Sequence, residues 1–285
     1  MTNKTMTLPS YLFLMLLVLV PLAMMAQSAV ASEQPLRVCA DPDYMPYSNR
    51  AGQGFENHVA ELVAKAMGRK LEYHWASLRG QGGFSNFLAL NLDAGHCDVV
   101  MGIPYGDPEE LYTKPYYESS YVFVFKKDKH YDITSMDSPV LRHLKIGYEE
   151  DTPPQTGLKL RGLLFKAKQF HVADNKNLSP KSMLQAVRDG KVDVIITWEP
   201  AIGYYLHDYP DLKVVRVPNT RSTGSPERYL FSIAMGVRAK DHSLKNELDS
   251  VINSHKSQIK RVLDSFNVKL YPTASGESSF ADGTM

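Results

Sequence analysis

One pattern occurs twice along the chain. Leu36-Arg37-Val38-Cys39-Ala40-Asp41-Pro42-Asp43 is echoed by Leu144-Lys145-Ile146-Gly147-Tyr148-Glu149-Glu150-Asp151, each a short strand-like run ending in carboxylates. Later in each copy a helical pattern stops at glycine, Gly95 or Gly190, and feeds a second apolar strand. That strand is Cys97-Asp98-Val99-Val100-Met101 in one copy and Val192-Asp193-Val194-Ile195-Ile196 in the other. Near-continuous apolar strands separated by helices are buried and parallel. Such a duplication predicts an α/β chain of two βαβ halves around a cleft, not one long sheet.

The connecting helices are readable. Phe55, Val59, Leu62, Val63, Ala66 and Met67 fall on one helical face, with Gly68 as the stop. Ser179-Pro180 reads as a cap and a first-turn proline. A last long helix is expected to carry Leu244 to Phe266 on one face, interrupted by His255. Two β-rich crossings, around 121–125 and 229–235, separate the halves and form a hinge. The expected division is lobe 1 at about 32–125 plus 232–273 and lobe 2 at about 126–231. The Ser/Gly-rich tail 274–285 is expected to be disordered.

The N-terminus addresses the compartment. Lys4 precedes an apolar run from Tyr11 to Val20, and Ala29-Val30-Ala31 fits the A-x-A pattern of signal peptidase. Residues 1–31 are therefore expected to be a signal peptide cleaved after Ala31, which places the mature chain in the periplasm. A membrane anchor is the other reading, and Pro21 makes the run marginal as a span. Cleavage removes Lys4 alone among charged residues and leaves 31 cations against 31 anions. That balance offers no long-range attraction to nucleic acid or an anionic membrane. In an oxidising compartment Cys39 and Cys97 read first as a disulfide, and otherwise as two buried thiols.

Ligands of open parallel sheets sit beyond the carboxyl ends of the strands. The candidates are therefore Asp41, Asp43, Tyr44 and Tyr47 after the first strand and Tyr105 after the Cys97 strand. In the second half they are Glu149, Gln155, Trp198 and Glu199. The site is expected to be aromatic and acidic, giving flat apolar area and acceptors for hydroxyls or a cation. The two acidic clusters, Asp41 or Asp43 and Glu149 or Glu150, are candidates to hold a cation between them. No G-x-S-x-G, H-E-x-x-H or P-loop pattern is present, the histidines show no metal-binding spacing, and no cofactor is expected. The glycine-rich Gly80-Gln81-Gly82-Gly83 lacks dinucleotide spacing and reads as a mobile loop.

The order of strands and crossings resembles the type II periplasmic binding protein fold, and Thr113-Lys114-Pro115-Tyr116 looks like the segment before its first hinge strand. Amino-acid receptors of that kind usually carry an arginine just upstream to clamp the ligand carboxylate. Met101 to Pro115 contains none, and Glu109-Glu110 stands there instead. A closer resemblance is to the MxaJ/XoxJ family, and more to its MxaJ branch. It is carried by Arg37-Val38-Cys39-Ala40-Asp41-Pro42, Met45-Pro46-Tyr47-Ser48-Asn49, Gly54-Phe55-Glu56-Asn57, Met67-Gly68-Arg69-Lys70-Leu71-Glu72-Tyr73 and Pro115-Tyr116-Tyr117-Glu118-Ser119-Ser120-Tyr121. The resemblance implies a non-enzymatic accessory protein of a PQQ-dependent quinoprotein methanol dehydrogenase in a methylotroph, with that dehydrogenase as partner. It supplies no catalytic residues. Two other readings stay open: an ABC-transporter receptor for a small polar or aromatic ligand, and a periplasmic lyase using Glu199 or Asp41.

Overall fold

A computed structural model describes residues 1–2, 34–78, 83–106, 111–172, 175 and 178–271. The expectations for the export signal, for most of the glycine-rich loop, for Glu109 and Glu110 and for the tail from Ala274 lie outside the described residues. From Gln34 onward the described chain forms a single unit.

The first half builds β1 (Leu36–Ala40), the small hairpin β2 (Asp43–Tyr44) and β3 (Ser48–Asn49), α1 (Phe55–Ala66) and β4 (Leu71–Trp75). It continues with α2 (Gly83–Leu88), β5 (Val99–Pro104), β6 (Leu111–Tyr112) and β7 (Tyr117–Lys126). The second half runs β8 (Ile146–Glu149), α3 (Pro153–Leu160), β9 (Lys168–Phe170), α4 (Lys181–Arg188), β10 (Val194–Trp198), α5 (Glu199–Ile202) and β11 (Leu212–Arg216). The chain then returns through β12 (Leu230–Val237) to α6 (His242–Ser254) and α7 (Lys256–Ser265).

The strands lie in the order β4-β1-β5-β12-β7-β10-β8-β9, with β6 on β12 and β11 on β7. Each half is parallel outside and antiparallel where the crossings enter. β1 pairs in parallel with β4 and β5, and β8 with β9 and β10. β7 belongs to both halves: Tyr117 to Ser120 pair with β12, whereas Tyr121 to Phe125 pair with β10. This is the type II periplasmic binding architecture, two βαβ lobes joined by a pair of strands.

The repeated Asp-Val step has one structural job in both lobes. Asp98 accepts from the Arg37 N–H at 3.2 Å and returns its own N–H to the Arg37 carbonyl at 2.8 Å. Asp193 does the same with Lys145, at 2.8 Å in both directions. Each acid thus sets the register of the second strand against the first, and the buried strands follow.

The α1 stripe buries Phe55, Val59 and Val63 against β1, β5, α6 and α7. Each such side chain contributes about 1.5–3 kcal/mol relative to exposure. Gly68, Gly95 and Gly190 take positive φ at the helix ends that the sequence assigned to them. Two expectations are corrected. The helix through Asn86 to Gly95 widens into a π-helical turn at Ala89–Asp93. The last helix is two helices, α6 and α7, broken at His255. The Ser254 hydroxyl donates to the Ser250 carbonyl and His255 Nδ1 lies 3.1 Å from the Val251 carbonyl, so side chains compete for the helical acceptors. Cys39 and Cys97 are disulfide-bonded, with Cα atoms 5.4 Å apart.

Candidate functional site

Asp41, Tyr105, Glu149 and Trp198 stand at or just after the carboxyl ends of β1, β5, β8 and β10, the strand ends where parallel sheets hold ligands. Asp41 is buried and already engaged. Its Oδ1 accepts from the Asp43 N–H at 2.9 Å, and its Oδ2 accepts from the Leu78 N–H at 2.8 Å and the Ser77 hydroxyl at 3.1 Å. Asp41 therefore fastens the end of β1 to the loop after β4. Asp43 is exposed in the β2–β3 hairpin.

Aromatic side chains form the contact between the lobes. Tyr44 and Tyr47 stand 4.9 Å apart, and Tyr47 lies 5.3 Å from Phe55. Tyr44 packs against the second lobe's core cluster. The Tyr205 hydroxyl of the second lobe donates to the Met45 carbonyl at 3.1 Å. In the other direction Trp198, at the end of β10, packs against the first lobe's core. Its ring lies 5.3 Å from Tyr121 and 6.1 Å from Phe231. The lobes thus exchange aromatic groups across their boundary.

Glu149 is buried at the end of β8. Burial pushes the Tyr47 phenol well above its ordinary value, and the charges of Tyr44, Tyr117 and Glu149 add to that. Burial, then Glu149, does the same to Tyr121. One acid of the second lobe therefore stands within electrostatic reach of phenols on the first lobe and on the crossing strand. Tyr117, Tyr121 and Phe231 lie against these candidates, through Tyr47 and Trp198, and were not among the residues expected from the sequence. The available signal was the alternation Tyr117, Ser119, Tyr121, which puts three side chains on one face of β7.

The remaining candidates sit at its edge or elsewhere. Tyr105 is half-buried, with its ring 6.3 Å from Tyr112. Gln155 is committed locally, accepting from the Asp151 N–H at 2.8 Å. Glu199 is fully buried and tied to the C-terminal segment: its Oε2 accepts from the Lys269 N–H at 2.9 Å, while Oε1 has no hydrogen-bond partner among the described residues. Burial raises its pKa to about 8, against the opposing pull of the Lys269 N–H and Ser119. Glu199 is accordingly a neutral acid at pH 7.

Around it the end of the chain makes a third tie between the lobes, beyond the two crossings that the sequence suggested. The Asn267 amide donates to the Gly203 carbonyl of lobe 2 at 3.0 Å, while within lobe 1 the Ser119 hydroxyl donates to the Lys269 carbonyl at 2.9 Å and the Tyr271 N–H to the Glu118 carbonyl at 3.1 Å, holding the same segment to β7. A hollow of about 740 Å³ lies beside this tie, lined by Tyr116, Tyr117, Glu118 and residues 267–270 among others.

A second neutral acid lies in lobe 1. Glu56 points at β5 where Gly102 has φ 75°. A Cβ there would come within 2.4 Å of Glu56 Oε1, so glycine makes the room that the carboxyl occupies. Burial raises Glu56 to about 8. For the suggested cation, no group of three or more His, Cys, Asp or Glu able to hold a metal ion exists among the described residues.

Comparison with known proteins adds a consistent set of relatives. The model of bacterial extracellular solute-binding proteins, family 3, matches residues 36–264. Protein MoxJ of Methylorubrum extorquens is 33% identical over 266 residues, covering 88% of this chain and 86% of the relative. The structure of MxaJ from Methlophaga aminisulfidivorans is similar with a TM-score of 0.73 and 28% identity, covering 83% of this chain and 100% of that one. The periplasmic binding protein XoxJ from Methylobacterium extorquens AM1 is similar with a TM-score of 0.63 and 30% identity, covering 84% and 100%.

Proposed function

We propose, from the premise that this chain belongs to the family 3 bacterial extracellular solute-binding proteins and to their MxaJ/XoxJ branch, that it is a non-enzymatic periplasmic accessory protein. Its job in this reading is to support assembly, maturation or activity of a PQQ-dependent methanol dehydrogenase. The observation that carries the reading is the likeness to MoxJ along 88% of the chain. The missing arginine between Met101 and Pro115 supports it by weakening the case for an amino-acid receptor. Export by a signal peptide cleaved after Ala31, and lobes at about 32–125 plus 232–273 and about 126–231, complete the proposal.

Within the cleft, Tyr44, Tyr47, Trp198 and Glu149 are the proposed ligand-facing groups, with Asp43 and Tyr105 at the rim. Asp41, Gln155 and Glu199 keep structural duties. This surface favours one second reading, a receptor for a small polar or aromatic solute, because the phenols of Tyr47 and Tyr121 stand within electrostatic reach of the buried Glu149.

The test is purification of the tagged protein from the periplasm of the methylotroph that makes it, followed by native mass spectrometry. Co-purification of dehydrogenase subunits is the expected outcome. A retained small-molecule mass without any partner moves the protein to the receptor reading. Neither a partner nor a mass shift removes the accessory reading.

A further inference from the structure

Phe165 is 87% exposed on a 3-10 turn at Leu164–Lys166, and Leu160 at the end of α3 is 49% exposed. Topology puts them at one pole. α3 starts at the cleft end of β8 and runs back, and the turn at Leu164–Lys166 leads into the start of β9, which is parallel to β8. The 3-10 turn Pro139–His143 precedes β8 and ends at the same pole.

Charge is segregated there as well. Residues 139–148 and 152–172 hold six cations, Arg142, Lys145, Lys159, Arg161, Lys166 and Lys168, and no carboxylate, in a chain whose net charge is +1, and Asp193 accepts from the Lys145 N–H beside them. Arg161 is neutralised by Asp137 and Glu227. Arg142, Lys145, Lys159 and Lys166 enter no ion pair among the described residues.

The turn that displays Phe165 is fixed. The Leu163 N–H donates to the Leu158 carbonyl at 2.8 Å, Leu163 is buried, and Lys166 Nζ donates to the Arg142 carbonyl. Lys168 on the edge strand β9 and Lys166 just before it serve on their own to discourage strand pairing. They do not account for a phenylalanine held outward beside them, because an exposed ring invites the contacts that edge lysines repel.

We infer that this pole of the second lobe docks an acidic protein surface offering an apolar recess for Phe165. A rigid aromatic knob loses little conformational freedom on burial, and surrounding cations steer an acidic partner and set its orientation. A protein is favoured over an anionic bilayer because the apolar part is a knob on a three-residue turn, not the apolar face of a long helix. The surface stands independently of which protein fills it; the dehydrogenase is its occupant only on the reading proposed above.

The experiment places a photo-crosslinking phenylalanine analogue at position 165 of the full chain in the cell that makes it. The same analogue at position 90, where Leu90 is 60% exposed in the first lobe, is the control. The captured protein is identified, purified and titrated against wild type, Phe165→Ser and Lys159→Glu/Lys166→Glu. Expected are an adduct with an acidic protein at 165 but not at 90, and affinity lowered about tenfold or more by Phe165→Ser. The charge reversal is expected to slow association about tenfold at low salt.

No protein adduct at 165, or equal affinity for wild type and Phe165→Ser, overturns the surface. Co-sedimentation of wild type but not the variants with vesicles of anionic phospholipid, without a protein adduct, replaces it with a membrane contact. If the captured protein is the dehydrogenase, surface and accessory role stand together. If it is another acidic protein weakened by Phe165→Ser, the surface stands and the dehydrogenase reading falls. If the dehydrogenase binds wild type and both variants equally, the accessory role stands and the surface falls.

Discussion

The two lobes repeat one plan and lock it by different means. In each, an acid before the second strand clasps the backbone at the entry of the first, Asp98 on Arg37 and Asp193 on Lys145. Lobe 1 then adds a covalent bond between Cys39 and Cys97 and a cluster in which Arg37 and Arg238 share Asp98. Burial works to raise the Asp98 carboxyl, but donation from the two arginines outweighs it and holds the pKa below its usual range.

Lobe 2 has no room for such a staple. Gly147 occupies the place of Cys39 in the repeat, and a Cβ there would sit 2.7 Å from the Phe170 ring and 3.0 Å from Ile195. Its lock is ionic instead: Arg161 bonds Glu227 at 2.7 Å and Asp137 at 2.9 Å, and Tyr229 donates to Glu227 at 2.7 Å. The comparison teaches that the shared backbone device sets the register, while each lobe closes its core by a local solution.

The sharpest way to break this comparison is to cut the ionic lock. Arg161→Ala leaves the buried Glu227 without its cation and is expected to cost about 3–5 kcal/mol, seen as a lower urea midpoint. Adding Glu227→Leu should recover much of that loss. If the single variant unfolds like wild type, the network does not lock lobe 2.

Cutting the covalent lock comes next. Cys39→Ser/Cys97→Ser opens a link spanning 58 residues, and chain entropy alone assigns it about 4 kcal/mol. Hydrogen exchange should rise in β1, β4 and β5 while β8, β9 and β10 keep their protection. Equal loosening of both lobes would break the claim of separate locks.

A smaller effect concerns the two neutral acids, Glu56 and Glu199, both near 8 in the folded protein. A folded pKa above the unfolded one makes the folded state hold more protons, so stability is full below about 4.5 and falls as pH rises towards 8. Each acid contributes at most about 1.4 kcal/mol per pH unit in that window. Denaturation of wild type, Glu56→Gln and Glu199→Gln between pH 5.5 and 7.5 should give a flatter profile for each variant. A slope unchanged by either substitution refutes the assignment for that acid.

The smallest expected effect lies between the lobes. Tyr205→Phe removes the hydrogen bond to the Met45 carbonyl and should cost this arrangement of the lobes about 0.5–1.5 kcal/mol. Small-angle scattering reads this as a larger radius of gyration, and an identical profile means that the aromatic contacts and the bonds of Asn267 and Lys269 to the second lobe hold the arrangement without it.

Much of this was legible in the sequence because it is local or repeated. The Asp-Val step, the glycine stops and the α1 stripe are short-range patterns, and each gave the element it promised. The site was legible only in part. Asp41 and Tyr44 could be placed at a strand end by counting, yet their partners, Leu78 and the second lobe's core, are fixed by tertiary contacts. Glu199 read as a cleft acid because nothing near it in sequence signals Lys269, which lies 70 residues away. At the π turn Ala89–Asp93 the Asn91 amide donates to the Phe87 carbonyl, and at His255 the Ser254 hydroxyl donates to the Ser250 carbonyl; such side-chain competition with the helical ladder is not registered by periodicity.

The return of β12, α6 and α7 to the first core sets an order of events. Lobe 1 packs Phe55, Val59 and Val63 against Leu248, Ile252 and Leu263, so a large part of its main core cluster is synthesised last. The core of lobe 2 draws chiefly on residues between Val122 and Tyr229. A chain delivered from its N-terminus can therefore complete the second lobe while the first still waits for its closing helices. The part of the protein that comes first in sequence is thus the part whose core is completed last along the chain.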